Sequence, residues 1–184
     1  CIRDRCTGGE HISFLPSSSS CPSLSHLFLQ YRQQSSRINI TLPLFMGTLN
    51  FCIEEAVKGV GGEENLYEGD IILYNNPYGS GSHSQDAAIV MPVFLNKKTL
   101  IGYTAIKAHW LDTGGKEPYS TDTVDVFQEG TIYPGLKLYD KGKRVEDIYK
   151  LIIANSRVPK AIIGDLNAQL NLSLIHISEP TRPR

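Results

Sequence analysis

Two histidine–aspartate pairs carry the spacing most suited to chemistry in this chain. His83 and Asp86 close the segment NNPYGSGSHSQD, Asn75 to Asp86, and His109 and Asp112 stand in AHWLDTGG, 26 residues farther along. Imidazole plus carboxylate, with positions left open, suits a catalytic Zn²⁺, Mn²⁺ or Fe²⁺; a closed structural site would normally use thiolates. Either pair alone is equally compatible with a hydrogen-bonded His–Asp contact closing a loop. Glu129, in FQEG, is an acid amid apolar neighbours and could act as a general base, a fourth ligand or a turn cap. Asp112 reads as the residue that orients His109 rather than as a direct ligand. Arg157 and Asp165 flank Pro159 at a helix start, where an ion pair or cap is the plain reading.

These residues need strands to bring them together. Ala87 to Leu95, AAIVMPVFL, and Thr99 to Ala108, TLIGYTAIKA, are β-rich runs joined by Asn96-Lys97-Lys98, a hairpin signature. The hairpin would place the two H-x-x-D pairs at neighbouring strand ends. A short strand, DIILY, precedes the loop, and Pro77, Gly79 and Gly81 permit that loop a tight, irregular path. Leu49, Ile53, Ala56, Val57 and Val60 recur at helical spacing behind Thr48 as a cap and ahead of Gly61-Gly62 as a stop. Val145 to Ala154 predicts a helix with Val145, Ile148, Ile152 and Ile153 inward, and Pro159 to about Leu170 predicts another. Trp110 to about Tyr133 reads as loop. The expected class is α+β: a mixed sheet with a β-hairpin and C-terminal helices.

Four segments follow from composition. Residues 172–182, LSLIHISEPTR, and 1–5, CIRDR, read as translated adaptor DNA of a transposase-based sequencing library, so 1–5 and 172–184 are expected to be adaptor-like scars around a fragment. Residues 6–40, Ser-rich with Pro16 and Pro22 and without a period, are expected to be an irregular or frame-shifted leader. Residues 41–171 have the pattern of a folded domain. The formal net charge is −1, and setting the scars aside makes the rest slightly more acidic, without a basic stripe for nucleic acid or an anionic membrane. No apolar run approaches the ~18 residues of a bilayer span. Cys6, Cys21 and Cys52 form an odd set that suits reduced thiols, so the expected location is cytoplasmic.

NNPYGSGSHSQD resembles the N-D-P-Y-x-G-G-T-H-x-x-D loop of the hydantoinase B/5-oxoprolinase family. IKAHWLDTGG, Ile106 to Gly115, is similar to its K/R-A-H-x-x-D-x-G-G, and VFQEGTIYPGLKL, Val126 to Leu138, to its I-F-Q-E-G-x-x-x-P-x-x-K-L. IIANSRVPKAIIGDLNAQ, Ile152 to Gln169, is similar to I-x-A-N-x-R-x-P-x-x-x-x-G-D-L-x-A-Q. The chain departs from the family at Thr41 and Phe45, where an H-I-P-V-H-L-G-like turn is usual, at Asn76 for aspartate, and at Ser80 and Ser82 for glycine and threonine.

The resemblance implies a metal held by His83, Asp86 and His109 in part of a larger subunit. A hydantoinase A-like partner would bind and spend ATP; neither G-x-x-x-x-G-K-[ST] nor G-x-G-x-x-G occurs in this chain. The activity it implies is ATP-dependent hydrolysis of hydantoin-like or 5-oxoproline-like cyclic amides. The alternative is the alpha-type subunit of an ATP-dependent ketone carboxylase, toward which GGKEPYSTD, Gly114 to Asp122, leans. The 184 residues by themselves are expected to be inactive.

Overall fold

The computed structural model describes residues 24–31, 34–39, 48–118 and 122–178, with side chains described only within 48–118 and 122–171. Its centre is the predicted hairpin, β4 (Asp86–Leu95) and β5 (Thr99–His109), paired antiparallel from Asp86↔His109 to Leu95↔Thr99. At its tip Lys98 N–H donates to the Leu95 carbonyl at 3.2 Å, and Asn96 and Lys97 carry φ of 51° and 63°. These are the two left-handed central residues of a type I′ turn, whose twist matches that of the flanking strands.

The remaining strands are β1 (Leu24–Tyr31), β2 (Gln34–Asn39), β3 (Ile71–Tyr74), β6 (Pro134–Asp140) and β7 (Lys143–Arg144), in the order β2-β1-β5-β4-β3-β6-β7. Every pairing is antiparallel, which corrects the expected mixed sheet while leaving the α+β class in place. Short links impose that direction on β1–β2, β4–β5 and β6–β7, while β1–β5 and β3–β6 join strands far apart in sequence. Pro92 is tolerated within the hairpin because β3 pairs with β4 only as far as Val90.

Within residues 6–40, expected to be an irregular or frame-shifted leader, two stretches are described as strands. Instead of irregular chain, 24–31 pairs with β5 and 34–39 pairs with β1. The outer edge of β5 presents backbone donors and acceptors to any proline-free stretch, and ladder bonds do not depend on side-chain period. Residues 1–23, 32–33 and 40–47 lie outside the described set, and with them the N-terminal scar, Cys6, Cys21, Thr41 and Phe45. The last helix, α5 (Pro159–Ser178), continues into the C-terminal segment read as a scar, where side chains are not described.

Helices cover both faces of the sheet. On one, α1 (Leu49–Gly59) lays Leu49, Cys52, Ile53 and Ala56 on Ile72, Tyr74, Ala88, Val90 and Ala105. On the other, α4 (Glu146–Ala154) and α5 place Ile152, Ile162, Leu166 and Leu170 against Ile71, Leu73, Ala87, Ile89, Met91 and Ala108. The alternation of odd and even positions of β4 between the two clusters is the period of a strand buried on both faces. Gln169 fixes α5 to the hairpin. Its buried amide accepts from Trp110 Nε1 at 2.8 Å and donates to the carbonyls of Ala87 and Ile106 at 3.0 and 3.2 Å. Two short helices, α2 (Pro77–Ser80) and α3 (Val126–Glu129), lie in the site loops, and strand β6 occupies a segment the sequence pattern did not mark.

Candidate metal centre

The pairing Asp86↔His109 sets two of the candidate ligands side by side at the open end of the hairpin. Directly opposed residues project to the same side of the sheet, here the side covered by α1. His83 reaches the same point from the loop before β4. A helical turn at α2, capped by the Asn76 side chain on Tyr78 N–H, leads to Gly81 at φ 65°, which turns the chain back toward the strand. Asn75, fully buried, holds the base of the loop. Its amide donates to the carbonyls of Ser84 and Thr131 at 2.6 and 2.9 Å, and its oxygen accepts from Tyr133 N–H at 2.5 Å. Gln85 adds a bond from Nε2 to the Glu129 carbonyl at 2.8 Å.

The outcome is a compact group. Asp86 Oδ1 lies 3.0 Å from His109 Nδ1 and 3.2 Å from His83 Nε2, and the two rings stand 4.7 Å apart at 38°. One potential ligand atom from each residue falls within 4.8 Å of the others. Donors held at about 2.0–2.2 Å around a tetrahedral ion sit roughly 3–4 Å apart, so the spread is slightly wider than a bound ion would impose. Its cause is visible in the contacts: both imidazoles aim at the carboxylate oxygen between them. The donor set, two imidazoles and one carboxylate, fits a divalent transition ion with positions left open.

Electrostatics agree with that fit. Burial would raise the Asp86 carboxyl, but the hydrogen bonds from His109 and His83, with the charges of His83 and Lys107, outweigh it and bring the group down to about 2. It is therefore ionised at neutral pH, as a ligand must be. The hydrogen bond to Asp86 raises the half-exposed His83 above its ordinary value against the opposing effect of burial, and the Glu129 charge pushes the same way.

Glu129 sits at the end of α3, partly buried and near enough to act on His83 electrostatically, but outside the three-residue ligand group. Asp112 is placed differently from the expectation. Its Oδ1 accepts from Gly114 N–H at 3.0 Å and Arg157 Nη1 at 2.9 Å, and its Oδ2 accepts from Arg157 N–H at 2.6 Å. Through these bonds it ties the approach to α5 to the post-hairpin loop. The ion pair expected of Arg157 thus forms with Asp112, and its guanidinium also donates to the Gly115 carbonyl. Residues 119–121 of the GGKEPYSTD loop lie outside the described set.

Lys107, the K/R position of the IKAHWLDTGG likeness, was given no role by the sequence. Its side chain is fully buried two positions before His109, on the same side of β5, with Nζ 2.5 Å from Ser82 Oγ. Strand alternation together with one cation inside an apolar run was the signal available. Thr48 begins α1 without a side-chain cap; its hydroxyl instead lies 3.5 Å from Lys107 Nζ.

A family model described as Hydantoinase B/oxoprolinase matches residues 33–177. The beta subunit of caprolactamase from Pseudomonas jessenii is 38% identical over 130 residues, covering 70% of this chain and 22% of that protein. A putative D-/L-hydantoinase B-type subunit of Pseudomonas sp. (strain NS671) is 38% identical over 110 residues, 58% of this chain and 18% of its own length. The 5-oxoprolinase of Saccharomyces cerevisiae is 32% identical over 141 residues, covering 70% and 11% of the two chains. Among solved structures, ATP-dependent caprolactamase from Pseudomonas jessenii superposes with a TM-score of 0.76 at 31% identity, over 85% of this chain and 28% of that one. Nucleotide-free acetone carboxylase gives a TM-score of 0.70 at 19% identity, over 83% and 20%, a likeness of fold. The chain thus spans between 11% and 28% of each of these relatives. Among the described residues no helix is long and apolar enough to cross a membrane.

Proposed function

The chain belongs to the hydantoinase B/oxoprolinase family, and from that premise we propose that it supplies the metal-binding part of the B-type subunit of an ATP-dependent cyclic-amide hydrolase. His83, Asp86 and His109 are the ligands, and a hydantoinase A-like subunit supplies ATP. The observation that carries the reading is the convergence of these three side chains within 4.8 Å from a loop and two paired strand ends. The names of the relatives, a D-/L-hydantoinase, a caprolactamase and a 5-oxoprolinase, support ring amides as the substrate class.

A divalent ion in such a site activates water at neutral pH and polarises a carbonyl or phosphoryl oxygen. The chain's own residues prepare for it. Asp86 stays anionic, and the β4–β5 register fixes its carboxylate beside His109 before any ligand arrives, so little ordering entropy remains to be lost. Glu129, close to His83 on α3, serves as the proton acceptor.

The test is metal content and turnover of the complete subunit assembled with its partner. Elemental analysis should find near-stoichiometric metal, and ATP-dependent opening of 5-oxoproline, hydantoin or caprolactam should be lost with it in His83→Ala, Asp86→Ala and His109→Ala. Unchanged metal content in the folded variants would rule out this ligand set. Bicarbonate-dependent consumption of acetone, with the ring amides untouched, would move the subunit to the carboxylase reading. The 184 residues alone should show no turnover.

A further inference from the structure

Of the three converging side chains, Asp86 and His109 are fixed by strand pairing, whereas His83 hangs on a loop with 47% of its side chain exposed. Something other than the ladder has to hold it in place. On its C-terminal side the loop is secured close by: Asn75 holds the Ser84 carbonyl, Asp86 N–H donates to the His83 carbonyl at 3.1 Å, and Gln85 bonds the Glu129 carbonyl. On its N-terminal side the fixed point is Ser82, the residue immediately before His83. Ser82 Oγ lies 2.5 Å from Lys107 Nζ and 3.1 Å from Ser80 Oγ at the end of α2.

Lys107 is an unusual anchor. An ammonium withdrawn from water is costly unless hydrogen bonds and charge compensate it, so lysine is almost never fully buried without a specific partner. Here the strand gives it a place: Lys107 pairs across the ladder with Ala88, a small residue, and two positions farther along the same strand carries His109. Its Nζ reaches Ser82 and, at 3.5 Å, Thr48 at the head of α1, while the buried Asp86 carboxylate supplies opposite charge. The head of α1 also approaches the loop, since the Thr48 methyl lies 3.6 Å from where a side chain at Gly81 would begin.

We propose that Lys107 is the positioning residue for His83: through Ser82 it transfers the register of β5 to the loop, so that the strand that carries His109 also sets the third ligand. The proposal rests on the metal-site reading for its purpose, but the placement of His83 stands on geometry in the metal-free chain. Lys107 touches no substrate in this scheme and acts through Ser82.

Four variants test it: Lys107→Met, which keeps the length of the side chain without the ammonium; Ser82→Ala; Ser82→Thr, which keeps the hydroxyl; and the Lys107→Met/Ser82→Ala double. In the metal-free chain, ring-proton nuclear Overhauser contacts between His83 and His109 report the placement directly. They should be present in the parent and in Ser82→Thr and absent in Lys107→Met and Ser82→Ala. Titration with Co²⁺, followed by its ligand-field absorption, should show affinity falling on the order of 10–100-fold in the same two variants. The double variant should be no worse than the weaker single, because both remove one link. Retention of the contacts in folded Lys107→Met, or additive losses in the double, would overturn the proposal. If Lys107→Met fails to fold, Ser82→Ala against Ser82→Thr carries the same comparison. Co²⁺ binding in the parent with contacts unaffected by the variants would sink Lys107 and leave the metal reading standing. Contacts that respond as expected in a chain that takes up no Co²⁺ would do the reverse.

Discussion

Replacing Asp86 with asparagine keeps the shape of the side chain and removes the charge on which both histidines converge. In the native state the carboxyl is lowered from 3.8 to about 2, a difference worth about 2 kcal/mol in favour of the folded, ionised form. Because the folded value lies below the unfolded one, this stabilisation is present above pH 3.8 and is lost as the pH falls through 2. His83 has the opposite sign: its value is raised, so its share of the same ion pair is present below about 6.5 and is lost as the pH climbs through the raised value. The two shifts describe one contact and are counted once. Urea unfolding of the metal-free chain in chelator should therefore show Asp86→Asn less stable by about 2 kcal/mol between pH 4 and 6. The gap should close toward pH 2 and narrow above neutrality. A gap that stays constant from pH 7 to pH 2 would show that Asp86 contributes through packing or shape, and that the charge reasoning is wrong. With metal present, uptake should improve as pH rises through the His83 value, since an imidazole must shed its proton to bind.

Gln169→Leu leaves the buried Trp110 N–H without its acceptor; the expected loss is about 1–3 kcal/mol per orphaned group by urea unfolding, and no change in midpoint would contradict the pinning of α5. Asp112→Ala should destabilise the chain through the lost Arg157 and Gly114 bonds while changing metal affinity by less than about 10-fold; isothermal titration beside a melting curve separates the two. In the complete assembly, Glu129→Gln should lower turnover by roughly 10²–10⁴-fold with metal content intact, and full activity in that variant would remove it from the proton-transfer role.

The α1 helix, the β4–β5 hairpin and α4 were legible because each shows its period over a window longer than its errors, α5 because Pro159 marks a first turn, and the Asn96-Lys97-Lys98 link marked the hairpin turn. Strand β6 was not, since PGLKLYD begins with proline and follows a loop; it becomes a strand by pairing with β3 through two register shifts, a contact some 65 residues distant. The same holds for 24–31 and 34–39, whose Ser-rich pattern gives no signal and whose extended form comes from the edge they pair with. Propensity is weak for such segments, and context decides them.

The order of residues was enough to specify the donor types and the hairpin that carries them: two H-x-x-D pairs, His83 with Asp86 and His109 with Asp112, at the ends of neighbouring strands. In one dimension those two pairs are equivalent. Three-dimensional packing separates them. The ladder puts Asp86 directly opposite His109 and so between both histidines, while Asp112 lies beyond the last paired residue and is taken by Arg157, 45 residues away. Strand pairing fixes direction and distance only where backbone bonds persist. Past His109 the last strand bond is followed by Trp110 N–H on the Gln85 carbonyl at 2.7 Å, and the buried Asp112 carboxylate beyond it is satisfied by Arg157 and Gly114.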